Sequence, residues 1–147
     1  TMRTIDITEA MNTANTYNHH LKQQGFAAAV QYAQIRKDAK VLDLTVALLP
    51  VEHPAAGAIG DPAILAAHSH CVMRTRFYLD ERNRQRGTVG ISAMSLVEYN
   101  SANQAVSVVN LMDIIFPGVG DTAMTLAALA AAAAQAVDTF EMLPVTP

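Results

Sequence analysis

Five of the ten basic residues fall between residues 74 and 86, and this cluster is the strongest chemical feature of the sequence. The five are Arg74, Arg76, Arg82, Arg84 and Arg86. Together with Asp80 and Glu81 they leave a local charge of +3 in a chain whose net charge is −3. Guanidinium groups bind phosphate and carboxylate through paired hydrogen bonds, so the cluster predicts a binding module for an anionic ligand or nucleic acid. The alternative is a solvated hairpin tip whose arginines pair with the two neighbouring acids.

Three histidines indicate a second kind of chemistry, and they are His53, His68 and His70. Residues two apart in a strand share a face, so His68 and His70 could hold a divalent metal ion together, with His53, Glu52 or Asp61 completing the shell. In a helix the same spacing points the two rings apart and the pair fails. Two hypotheses follow. Either these histidines bind a metal ion in a small metal-assisted enzyme, or they are polar residues in loops or at helix ends without a metal.

No segment carries a specific catalytic signature. Cys71 could act as a nucleophile with His68 or His70 as its base, but a buried and unreactive thiol is the commoner role of a lone cysteine. One cysteine cannot form an internal disulfide, which fits a cytoplasmic protein. We therefore expect no cofactor and place a non-enzymatic role ahead of an enzymatic one.

The composition indicates a single domain over residues 1–147. Hydrophobic residues make up 51% of the chain and charged residues 16%, against roughly 25% charged in average globular chains, which excludes disordered and fibrous classes. The first residues lack the pattern of a signal peptide, and polar residues interrupt the most apolar stretch, from Ala105 to Val137. We expect neither export by a signal peptide nor a membrane partner.

The elements that must position these side chains begin with predicted helices. One apolar stripe at helical spacing precedes Gly25 and comprises Ala10, Ala14, Tyr17 and Leu21. A second stripe follows Gly25 and comprises Phe26, Val30 and Ala33. The second stripe predicts a helix that ends among residues 36–40, so the sequence predicts two amino-terminal helices.

Strand patterns occupy the middle of the chain. The run from Val41 to Leu49 predicts a largely buried strand, because it is rich in Val, Leu and Thr. Residues 72–79 and 88–98 predict a hairpin with a charged tip, and residues 105–111 predict a further strand. Short connections favour antiparallel pairing. The predicted fold is α+β: two amino-terminal helices, an antiparallel sheet of about four strands, and a long alanine-rich carboxy-terminal helix packed on one sheet face.

The carboxy-terminal helix supports the leading functional hypothesis. It is predicted to begin at a cap formed by Asp121 or Thr122 and to end near Phe140, with no charged residue between Asp121 and Asp138. Such a helix needs cover on most sides, either from its own chain or from another copy. We expect a non-enzymatic interaction or assembly protein that forms a homo-oligomer through this helix. The predicted interface residues are Leu126, Leu129, Ala130, Ala133 and Val137.

Overall fold

The computed structural model describes residues 2–36, 40–118 and 120–142, with side chains described from Ile7 onward. In chain order the elements are α1 (Met2–Gln23), β1 (Phe26–Arg36), β2 (Val41–Pro50), a 3-10 turn (Ala56–Ala58), α2 (Pro62–Leu65), β3 (His70–Tyr78), α3 (Glu81–Arg86), β4 (Val89–Tyr99), β5 (Ala105–Asn110), α4 (Met112–Ile115), β6 (Ala123–Met124) and α5 (Leu126–Thr139). The fold is α+β with an antiparallel sheet and a carboxy-terminal helix, which confirms the predicted class.

The sheet is an antiparallel meander in the order β1-β2-β3-β4-β5, with β6 paired to the start of β4. It therefore has six strands among the described residues, where the sequence predicted about four. The two additional strands are β1, which the sequence predicted as helix, and β6, which has only two residues. A two-residue strand leaves almost no periodic pattern in a sequence, so only its pairing identifies it.

The predicted second helix is wrong, because this segment forms β1 and pairs with β2 along its length. A bulge between Val30 and Tyr32 explains the error. Before the bulge, Phe26 and Val30 face the core, and after it the inward face shifts by one residue to Ala33. Spacings of four and then three residues imitate a helical stripe, although each half alternates as a strand does. The predicted end of this helix falls partly on residues 37–39, which lie outside the described residues.

Helix α1 packs on the sheet through the predicted apolar stripe. Ala10, Ala14, Tyr17 and Leu21 are all fully buried. The ring of Tyr17 meets Phe77 of β3 edge-on, with ring centroids 5.4 Å apart, and its hydroxyl donates to the sulfur of Met73 at 3.4 Å. The stripe therefore fixes α1 over the middle of the sheet, with the tyrosine hydroxyl satisfied inside the core.

Helix α5 lies on the same sheet face as α1. Its cap is Thr125, whose hydroxyl accepts from the amide of Ala128, so the predicted cap at Asp121 or Thr122 is wrong. The chain first adds β6 to the sheet and only then turns into the helix. None of the helices in the described part of the chain is both long and apolar enough to span a bilayer.

The inner face of α5 is covered by its own chain. Leu129, Ala130, Ala133 and Val137 are buried in the core between α1 and the sheet, and Leu126 packs against that core. The small alanine side chains on this face let α5 pack close to α1. The opposite face exposes the alanines at positions 127, 128 and 131. Four of the five predicted interface residues are thus buried by their own chain, and Leu126 is partly buried.

Candidate functional site

A row of polar side chains crosses the sheet face that α1 and α5 leave uncovered. The strand register aligns five residues side by side, one from each strand of the meander. In order from β1 to β5 they are Tyr32, Thr45, Arg74, Ser95 and Asn110. A row of hydrogen-bonding side chains on an uncovered sheet face is a surface to which a polar ligand could bind.

Two neighbouring cavities open along this row. The larger has a volume of about 430 Å³ and is lined by the whole row together with Asp43 and Arg76. The smaller, of about 240 Å³, lies towards α2 and is lined in part by His70 and Tyr99. Thr45 and Arg74 line both cavities, so these two side chains stand where the cavities meet.

Arg74 is an exposed cation on this surface. One of its terminal nitrogens donates to the hydroxyl of Tyr99 at 3.1 Å. Within the described ranges no carboxylate lies at ion-pair distance from its guanidinium, in contrast to the neighbouring Arg76. An arginine has five N–H donors, and the bond to Tyr99 uses one of them. The remaining donors of Arg74 are available to a ligand in either cavity.

Arg76 is held in a bidentate pair with Asp43. Its Nε donates to Oδ1 at 2.7 Å and a terminal nitrogen donates to Oδ2 at 3.2 Å. Arg36 approaches the same carboxylate at 3.1 Å. The hydrogen bonds from Arg76 hold the pKa of Asp43 below its usual range, so this carboxylate is charged at neutral pH. Asp43 therefore neutralises much of the positive charge beside Arg74.

The remaining three arginines of the predicted cluster lie on α3, which replaces the expected charged turn. Asp80 caps this helix by accepting from the amide of Asn83, and Gly87 ends it with a left-handed φ of 70°. Arg84 pairs with Glu9 and Glu81, and both Arg82 and Arg86 approach Asp121. The cluster is thus divided: Arg74 and Arg76 share the open sheet face, whereas Arg82, Arg84 and Arg86 hold neighbouring segments together.

Sequence reasoning missed the polar row because it depends on register. The signal that was available is in β2, where Asp43 and Thr45 are polar residues two apart in an otherwise apolar strand. Alternation places both on the face away from the core. Tyr32 was hidden by the helix prediction for β1, and Ser95 and Asn110 align with Arg74 only once the strand pairing is known.

The three histidines do not form one cluster. His53 is buried, its Nδ1 accepts from the amide of Ala55 at 3.0 Å, and its ring meets His68 edge-on at 5.4 Å between centroids. Burial, and then the proximity of His68, lowers the pKa of His53, so its ring is neutral at pH 7. His70 instead stacks on Tyr99. No three His, Cys, Asp or Glu side chains of the described residues come together as a set that could hold a metal ion, so the metal hypothesis gains no geometric support.

Cys71 is a buried residue of β3 and pairs with Glu98 of β4. Burial, with a smaller contribution from the nearby Glu98, raises the pKa of its thiol to about 12. A thiol attacks only as its thiolate, and at neutral pH almost none would form here. The structure therefore favours the interpretation of Cys71 as a buried and unreactive thiol.

Comparison with known proteins supplies no relative from which a role could be transferred. No family model, curated protein or solved structure matches this chain. Function must therefore be argued from the chemistry of the site itself. That chemistry is an open polar sheet face with a cation, hydroxyls, amides and two adjoining cavities.

Proposed function

We propose that this chain is a binding protein for a small anionic ligand, held on the open sheet face with Arg74 as its anchor. The observation that carries the proposal is the guanidinium of Arg74, which lines both cavities and lacks a carboxylate partner among the described residues. Carboxylate and phosphate groups match the planar fork of a guanidinium. Thr45 and Ser95, opposite Arg74 on its two neighbouring strands, offer hydroxyls to the same group.

The charge distribution favours a small ligand over nucleic acid. The chain carries a net charge of −3, and the arginines of α3 are engaged with carboxylates. Nucleic-acid surfaces need several phosphate contacts from free basic groups along one face. On the open sheet face, Asp43 pairs with both Arg36 and Arg76 and so leaves Arg74 as the available cation. A single anionic group fits this arrangement better than a phosphate backbone.

Replacing Arg74 should weaken anion binding without disturbing the fold. In Arg74→Gln the guanidinium is lost, and a charge-assisted pair of hydrogen bonds contributes about 1.5–3 kcal/mol, so we expect affinity for acetate or inorganic phosphate to fall roughly tenfold or more. The amide resonances of Thr45 and Tyr99 would report binding in titrations followed by nuclear magnetic resonance. Thermal unfolding should change little, because the Arg74 side chain is exposed.

The matched control is Arg82→Gln, which removes the same charge from α3. Arg82 is an exposed residue that does not line either cavity. The Arg82→Gln variant should therefore bind acetate and inorganic phosphate as the natural chain does. Equal weakening by both variants would mean that the protein attracts anions through its general field, and the proposal of a site at Arg74 would then be wrong.

A second candidate function, assembly into a homo-oligomer, is supported by strand β5. It is the last strand of the meander, it carries no charged residue, and its Val108 is 66% exposed. Edge strands usually carry charge that discourages pairing with another chain, as Arg36 does on the opposite edge. An uncharged edge strand with an exposed valine favours pairing with the same strand of a second copy. Two copies related by a two-fold axis would place their β5 strands side by side in antiparallel orientation.

A lysine on this edge should prevent assembly. We expect Val108→Lys to remain monomeric at high micromolar concentration where the natural chain sediments as a dimer, because charge on an edge strand disfavours its pairing with another chain. The control is Val51→Lys, which changes a similarly exposed valine in the turn after β2. A natural chain that sediments as a monomer at this concentration would contradict assembly through β5.

A further inference from the structure

The smaller cavity contains a buried histidine that the anchoring role of Arg74 does not use. His70 begins β3 and is only 3% exposed, yet it lines this cavity. Pro62 and Leu65 of α2 also line this cavity. The cavity therefore presents a fixed imidazole beside the cation that lines both spaces.

The backbone fixes which ring nitrogen of His70 carries the proton. Nδ1 lies 2.9 Å from the carbonyl oxygen of His68, and a carbonyl can only accept, so Nδ1 is the donor. In the neutral ring Nε2 is then a hydrogen-bond acceptor. Nε2 has no hydrogen-bond partner among the described residues and is not completely buried, and His70 lines the cavity, so we infer that Nε2 is the ring atom that a molecule there would contact.

Tyr99 connects this histidine to Arg74. Its ring stacks on that of His70, with an interplanar angle of 10° and centroids 5.2 Å apart. Its hydroxyl accepts a hydrogen bond from Arg74 at 3.1 Å. The side chain of Tyr99 therefore orients both His70, which supplies the acceptor, and Arg74, which supplies the cation. Both residues line the same cavity.

We propose that the ligand is an anion that also carries a hydroxyl group. Its anionic oxygens bind Arg74, and its hydroxyl donates to Nε2 of His70. This inference rests on the proposed anion site and adds the requirement for a donor. A small hydroxycarboxylate and a hydrogen phosphate group share this chemistry, since each combines anionic oxygens with one O–H.

Two matched pairs of probes test the requirement at pH 8, above the range in which histidine side chains ordinarily titrate. Glycolate and acetate are both monoanions, and only glycolate has the hydroxyl. Hydrogen phosphate and sulfate are both dianions, and only the phosphate has an O–H. We expect the hydroxyl-bearing member of at least one pair to bind roughly fivefold more tightly, which is the range of one net hydrogen bond. The pair that shows the preference identifies the ligand as carboxylate or phosphate.

The variant His70→Phe keeps a ring on Tyr99 and removes the acceptor. It should abolish the preference for the hydroxyl while acetate and sulfate still bind through Arg74. His70→Gln, whose amide oxygen can accept, should retain part of the preference. Equal binding within both pairs by the natural chain would overturn the requirement for a hydroxyl and leave the anion site intact. Failure of all four probes to bind would overturn both proposals.

Discussion

Ala133→Glu is expected to destabilise the protein by more than about 3 kcal/mol, because it places a carboxylate in a closed core. Ala133 is fully buried on the inner face of α5 and belongs to the core that α1 and the sheet share. The residues that form this core are hydrophobic, so they offer the added carboxylate no cationic partner. Urea denaturation followed by circular dichroism would measure the loss as a lower transition midpoint.

A matched control lies two residues earlier on the same helix. Ala131 is exposed, and two residues correspond to more than half a turn, so its side chain leaves the opposite face of α5. Ala131→Glu should change the free energy of unfolding by less than about 0.5 kcal/mol. Similar destabilisation by the two variants would show that both faces of α5 are covered, as the sequence-based assembly hypothesis requires. A neutral Ala133→Glu would contradict the packing of α5.

These two alanines also show what the sequence can and cannot predict about α5. The absence of charge correctly indicated a helix that needs cover. The absence of charge did not indicate which side of α5 is covered. Alanines occur on both faces of the helix, so the sequence does not distinguish a polar face from an apolar one. The same limit applies to α3, where Arg84 pairs with Glu9, a residue 75 positions away in the chain. The sequence left open whether these arginines are free or pair with the neighbouring Asp80 and Glu81. Arg84 does pair with Glu81, but its contact with Glu9 appears only in the tertiary structure.

The sheet was predictable where strands alternate regularly. The apolar run of β2 and the stripe of α1 were identified correctly, since each repeats one period without interruption. The bulge in β1 broke that period and produced a helical pattern. The polar row needed more than the right elements, because a shift of one residue in register moves a side chain to the other face. Arg74 could be singled out by residue type, but its neighbours Ser95 and Thr45 could not.

Asp43→Asn is expected to strengthen anion binding, roughly three- to tenfold, which is the opposite of the usual effect of a substitution in a binding site. The carboxylate of Asp43 lines the larger cavity and engages both Arg36 and Arg76. Its lowered pKa means that the negative charge is present at neutral pH, where it repels a bound anion. Removing that charge frees the guanidinium groups of Arg36 and Arg76, of which Arg76 lines the same cavity as Arg74. At separations of several ångströms near a protein surface the gain is on the order of 1 kcal/mol.

The same titrations with acetate or inorganic phosphate measure this gain, and Asp138→Asn is the control. Asp138 is exposed on α5, which packs on the other face of the sheet, so its substitution makes the same change in net charge away from the cavities. The gain should also shrink as salt is raised, because it is electrostatic. If Asp43→Asn weakens binding instead, the paired Arg76 must act as a positioned donor that Asp43 orients, and the ligand would then contact Arg76 directly. An equal gain in both variants would mean that the anion responds to the overall charge and not to this surface.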